Sequence, residues 1–160
     1  CILGKGNIGT RVGEICEALN MNVKYFRRGD DLTESVKDAD VVVNALSLNP
    51  STEGLLDKNF FMSLKKGSYF ITPTGQRIND IDAMIEALDK NILSGAAIDG
   101  GGMQPGDTDD EFYKKLLAHP KILVTPHIAF NTDRTARVGN DMVIENIEAW
   151  LKGEPKNLVE

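Results

Sequence analysis

The opening of the chain, Cys1-Ile2-Leu3-Gly4-Lys5-Gly6-Asn7-Ile8-Gly9-Thr10-Arg11-Val12-Gly13, constrains its fold more than any other stretch. A short apolar run meets a G-x-G-x-x-G pattern. A helical pattern follows at once, with Ile8, Val12, Ile15, Cys16 and Leu19 falling on one face at the 3.6-residue period. A strand, a glycine turn and a helix in that order form a dinucleotide-binding fingerprint. Gly4 permits the tight turn, Gly6 lets backbone approach a diphosphate, and Gly9 lets the helix pack closely on the strand. The diphosphate would rest on the N–H groups of Asn7, Ile8 and Gly9, at the positive end of the helix. In a chain with 15 glycines the alternative is a plain glycine turn, and the flanking strand and helix weigh against it.

Beyond the turn, apolar runs and amphipathic runs alternate. Strands are expected at 22–26, 40–46, 68–72, 93–99 and 121–125. Helices are expected near 33–39, 57–64, 109–118 and 132–152, and also after Asn79 or Asp80, where Ile81, Met84, Ile85 and Leu88 share a face. The last helix is expected to bury Val138, Met142, Val143, Ile147, Trp150 and Leu151. Val41-Val42-Val43 is β-branched throughout, as a strand covered on both faces should be. The fold class expected is α/β: a Rossmann-type doubly wound parallel sheet in three αβα layers.

Bulk properties narrow the functional classes. The net charge of −6 comes with no basic stripe, which argues against a nucleic-acid partner. No apolar run reaches the eighteen or so residues of a membrane span, and no signal peptide is visible, so a cytoplasmic setting is the default expectation. Two cysteines, Cys1 and Cys16, have neither metal-ligand spacing nor a disulfide framework, and no bound metal is expected. The start at Cys1 and the stop soon after the last helix suggest one dinucleotide-binding domain, 1–160, excised from a longer protein.

The unusual residues follow strands. In open α/β sheets ligands bind outside the carboxyl ends of the strands, so the glycine turn, Arg27-Arg28, Asn49-Pro50, Thr72, Asp99 and His127 converge on one edge. Pro50 and Thr72 are cofactor-contact candidates on that ground. Arg27 and Arg28 stand where an NAD site usually has a carboxylate for the ribose 2′-hydroxyl. Two guanidinium groups there would suit a 2′-phosphate, so NADP is the preferred cofactor and NAD the second; otherwise they are solvated arginines. His127 follows Pro126 at a strand end and would give a proton to a carbonyl oxygen as hydride arrives at carbon. The alternative is a turn histidine bonded to backbone. Asp99 would accept from a nicotinamide carboxamide or cap its loop.

Several ordered motifs together resemble the cofactor domain of the D-isomer-specific 2-hydroxyacid dehydrogenases. Gly4 to Gly9 is similar to that family's glycine turn, and Leu48-Asn49-Pro50-Ser51-Thr52-Glu53-Gly54 to its loop after the third strand. Leu64-Lys65-Lys66-Gly67-Ser68-Tyr69-Phe70-Ile71, Gly95-Ala96-Ala97-Ile98-Asp99 and Thr125-Pro126-His127-Ile128-Ala129 resemble three further motifs. The resemblance implies reversible hydride transfer between NAD(P)H and a short 2-oxo acid. It also implies a discontinuous substrate domain and a homodimer built largely on cofactor domains. Its catalytic set is an Arg that holds the substrate, a Glu, and a His acid/base whose pKa that Glu raises.

His127 matches the family His, but the other two positions differ. Counting from Ile71 places Gly75 at the family Arg, with Arg77 two residues on as a substitute. The family Glu position holds Gln104, before Pro105. Gln104 would orient the His127 ring by a hydrogen bond without stabilising the imidazolium by charge, moving the pH optimum of reduction downward. The catalytic residues expected are therefore His127, Gln104 and Arg77. Two functions remain open: a reductase with an altered catalytic set, or a catalytically inactive NAD(P)-binding dimerisation or sensor protein.

Overall fold

A computed structural model describes residues 1–74, 76–100, 109 and 111–158, the side chains at 76 and 112 excepted. The chain runs β1 (Ile2–Leu3), α1 (Asn7–Ala18), β2 (Tyr25–Phe26), α2 (Leu32–Val36), β3 (Val41–Asn44), α3 (Lys58–Ser63), β4 (Ser68–Thr72), a 3-10 turn (Gln76–Ile78), α4 (Ile81–Asp89), β5 (Leu93–Asp99), α5 (Glu111–Leu117), β6 (Ile122–Thr125) and α6 (Asp133–Leu151). Asp31, Asp57 and Asp80 start α2, α3 and α4. Each carboxylate accepts the backbone N–H three residues on, at 2.9 Å, and so satisfies an orphan donor of the first turn.

The strands form one parallel sheet in the order β2-β1-β3-β4-β5-β6. The α/β doubly wound architecture expected above is the one observed, and chain order reverses between β1 and β3. Residues divide into two compact units, Cys1–Ile128 and Ala129–Glu160. In the first, α2 to α5 pack on one face of the sheet, where Val36, Phe60, Phe61, Met84, Leu88 and Leu116 meet Leu3, Val42, Phe70, Ile98 and Val124. Phe60, Phe61 and Phe70 interlock edge to face, with ring centroids 5.0 to 6.2 Å apart. On the opposite face α1 lies over β1 and β2, where Val12 and Tyr25 pack with Ile2, Val43 and Ala45. Further along that face, Tyr69, Ile71 and Leu123 remain 52%, 39% and 68% exposed beside a groove of about 640 Å³.

Two helix faces differ from expectation. Of the stripe expected along α1, Ile8, Ile15 and Leu19 are exposed and Val12 and Cys16 are half-buried; the buried residues of the helix are Gly9 and Gly13. The glycines allow an approach that side chains forbid. A Cβ on Gly9 would lie 2.1 Å from the Gly4 carbonyl oxygen, and one on Gly13 would lie 1.8 Å from the Tyr25 hydroxyl. The stripe expected to be buried on α6 is also exposed, from Met142 at 48% to Leu151 at 71%. Among the described residues, the Ala129–Glu160 unit is one helix with short flanks and has no second element for an amphipathic face to pack against. Among the described residues, no helix is long and apolar enough to cross a membrane.

Candidate functional site

The carboxyl ends of the strands carry two groups of candidate residues. The first lies at the chain-order reversal, where doubly wound sheets open a crevice. Gly4 leaves β1 with φ +95°, its amide donating to the Phe26 carbonyl at 3.1 Å. Gly6 forms the N-cap of α1 with no side chain over the helix start, and a Cβ there would meet nothing within 4 Å. The turn therefore leaves room above the first N–H groups of a helix whose dipole favours an anion. Asn7, Ile8 and Gly9 form that first turn. These features fit a dinucleotide diphosphate.

A cleft of about 670 Å³ opens beside this turn, bounded by Gly4, Gly6, Phe26, Arg28, Leu46 and Asn49 among others. Its far wall is tied to itself. Asn49 Oδ1 accepts the Ser51 amide at 2.9 Å, and Thr52 Oγ1 donates to the Ser47 carbonyl at 2.7 Å. Pro50 stands in sequence between Asn49 and Ser51, both of which line the cleft. Backbone bonds then join the wall to the segment after β4: Gly54 to the Arg77 carbonyl at 2.8 Å, Leu56 to that of Ile78 at 3.0 Å, and Asp80 to that of Leu56 at 2.9 Å. Arg77 adds an ion pair, its Nη2 and Nε donating to Glu53 Oε1 at 2.6 and 3.1 Å. Of the paired arginines, Arg28 borders the cleft, while the amide of exposed Arg27 donates to Asp30 at 2.7 Å.

Between the two groups lies a buried polar cluster that sequence reasoning missed. Asn44, 0% exposed, donates to Asn79 Oδ1 at 3.0 Å and to Thr72 Oγ1 at 3.3 Å, and its own Oδ1 accepts the Leu46 amide at 3.1 Å. Thr72 is 1% exposed, so its hydroxyl serves this cluster beneath the cleft wall. The signal was a polar residue ending an otherwise β-branched buried strand, a position that requires partners. The Glu53–Arg77 pair left no such signal, because its members are 24 residues apart and exposed.

The second group closes β5 and β6, which pair Asp99 with Thr125. Asp99 is 8% exposed, and its Oδ1 accepts the Thr125 hydroxyl at 2.5 Å and the Ile128 amide at 2.9 Å. Both bonds tie Asp99 to the segment after β6, while the glycines that follow Asp99 at 101 and 102 lie outside the described residues. His127 stands between those contacts with φ +52°, its amide donating to the Thr125 carbonyl at 2.9 Å. Four strand spacings separate β1 from β6, about 19 Å at 4.8 Å each, so a ligand serving both groups must run along the edge. Gly75 and Gln104 lie outside the described residues. Among the described residues, no group of histidine, cysteine and carboxylate side chains could hold a metal ion.

Comparison with known proteins gives a consistent result. Residues 1–129 match the family model described as "D-isomer specific 2-hydroxyacid dehydrogenase, NAD binding domain". The chain is 26% identical to glycerate dehydrogenase of Methylorubrum extorquens, over 99% of this chain and 52% of that protein. It is 31% identical to D-3-phosphoglycerate dehydrogenase of Escherichia coli K12, over 82% of this chain and 35% of that one. Among solved structures, the D-isomer specific 2-hydroxyacid dehydrogenase of Lactobacillus delbrueckii ssp. bulgaricus, in its NAD-complexed form, superposes with a TM-score of 0.88. That match has 28% identity and covers 99% of this chain and 55% of that one. The chain thus spans between about a third and about half of the length of these curated relatives.

Proposed function

The chain belongs to the D-isomer-specific 2-hydroxyacid dehydrogenase family, through its NAD-binding domain, and on that footing we propose that it is the cofactor domain of an NAD(P)H-dependent 2-oxoacid reductase. The observation that carries the reading is His127 on the same strand-end edge as the glycine turn and its cleft. The cofactor supplies a hydride to the carbonyl carbon of a short 2-oxo acid. The protein's part is to hold the diphosphate over α1, seat the adenosine end in the cleft, and deliver a proton from the His127 imidazole to the carbonyl oxygen. The product is the 2-hydroxy acid. A homodimer is part of this reading.

NADP preference is assigned to Arg28, which borders the cleft, ahead of Arg27, whose backbone is engaged with Asp30. Arg77 is held by Glu53, and for it to take the substrate carboxylate that pair must exchange partners. The second reading, a cofactor-binding dimerisation or sensor protein without turnover, is favoured by Gly75 and Gln104 at the family Arg and Glu positions.

The deciding experiment is NADPH and NADH oxidation by the full-length protein across glyoxylate, hydroxypyruvate and pyruvate, with His127→Ala as control. We expect turnover that falls by roughly a thousandfold in the control, the scale for losing a proton donor. We also expect a preference for NADPH that Arg28→Asp reverses. Tight cofactor binding with no turnover above the control would establish the sensor reading instead.

A further inference from the structure

Among the described residues, His127 is one of four other than glycine with positive φ, at +52°. A side chain other than glycine persists there only where its surroundings over-determine it. The surroundings here are specific. Asp99 Oδ1 takes the Thr125 hydroxyl at 2.5 Å and the Ile128 amide at 2.9 Å, gripping the chain on both sides of Pro126-His127. The His127 amide closes the turn from within by donating to the Thr125 carbonyl at 2.9 Å. Pro126 fixes its own φ, so little freedom remains for the turn once both ends are held. The gripping group is a carboxylate in an 8% exposed residue, and charge-assisted bonds of this kind exceed neutral ones in strength.

We propose that Asp99 is a positioning residue for His127: by holding Thr125 and Ile128 it keeps the intervening turn in its left-handed conformation and so sets where the imidazole stands. The proposal rests on the reading of His127 as proton donor. It differs from a role for Asp99 at the cofactor in one respect, which Thr125 isolates. The Thr125 hydroxyl donates to Asp99, and Thr125→Val removes that donor with almost no change of shape. Thr125→Ser keeps the donor. If Asp99 served the nicotinamide alone, loosening its hold on the turn would appear in cofactor affinity; if it positions His127, the effect appears in the chemical step.

The test compares wild type, Thr125→Val and Thr125→Ser in the full-length protein, reading kcat, cofactor Kd by fluorescence, and amide exchange at His127 and Ile128. Thr125→Val is expected to lower kcat by about tenfold, within the range that small misplacement of a reacting group produces. It should leave the cofactor Kd within about twofold while exchange at His127 and Ile128 quickens, and Thr125→Ser should restore all three. The proposal is overturned if Thr125→Val weakens cofactor binding in proportion to kcat, or if exchange at His127 and Ile128 stays at the wild-type rate. Should the wild type turn over none of the 2-oxo acids, the reductase reading falls by itself. The exchange data then still decide whether Asp99 holds the turn.

Discussion

The two faces of the sheet are built from similarly apolar residues and meet different fates. On one face, Phe70 of β4 is 0% exposed, locked against Phe60 and Phe61 of α3. On the other, its neighbours Tyr69 and Ile71 are 52% and 39% exposed. Helices α2 to α5 pack against the first face, while among the described residues of the first unit the second face is covered by α1 over β1 and β2. Alternation along one strand thus separates residues that hold this unit together from residues that offer surface. A parallel sheet normally has both faces covered.

Substitutions at matched positions would break or sharpen that contrast. The largest effect is expected for Phe70→Ala, which empties the centre of the aromatic cluster and should cost about 3–5 kcal/mol in denaturant unfolding, the usual scale for a buried Phe. Leu123→Ala on the open face should change stability by about 0.5 kcal/mol or less, as surface changes do. Equal losses for the two would mean the open face is covered in solution.

Gly13→Ala tests the part of the second face that is closed. Its Cβ would meet the Tyr25 hydroxyl at 1.8 Å, so α1 or the ring must shift, at about 1–3 kcal/mol, the range for overpacking. Adding Tyr25→Phe should recover part of that loss in the same unfolding assay, because it removes the atom nearest the new methyl.

The smallest effect is electrostatic and lies on the outer side of the closed face. Hydrogen bonds from Lys58 and Lys90 hold the Glu86 carboxyl down, from 4.5 to about 2. Its folded value lies below the unfolded one, so its contribution is complete above pH 4.5 and is lost as pH falls toward 2. An NMR titration of Glu86 should show the low midpoint, and Lys58→Ala should raise it.

Much of this architecture was legible in the residues. The bounds of β4 and β5 follow from Pro73 and from the glycines after Asp99, and the glycine turn announces its own conformation through Gly4. Helical faces were legible as periodicity but not as burial. The period shows that Ile8, Ile15 and Leu19 align, and says nothing of the two glycines one step round the helix that allow closer packing. Asn79 shows the same limit. It was one of two candidate caps for α4, yet Asp80 takes that role and Asn79 turns inward to Asn44. At the strand ends, the motif located the glycine turn, and the strand-end rule placed His127 on the same edge. Which arginine borders the cleft depended on side-chain direction at the end of a two-residue strand, which composition does not encode.

The bonds from Gly54, Leu56 and Asp80 that stitch the cleft wall to the segment after β4 have a calorimetric consequence. A wall already paired to its neighbour does not have to fold around a ligand, so its ordering is complete before binding begins. Cofactor association should then show a heat-capacity change matching the apolar area of the ligand and cleft alone. The larger negative change that accompanies folding of a loop on binding should be absent. The same rigidity implies that the cofactor enters past a standing wall, with the rate of association set by encounter and orientation and with no loop-closing phase in stopped-flow traces.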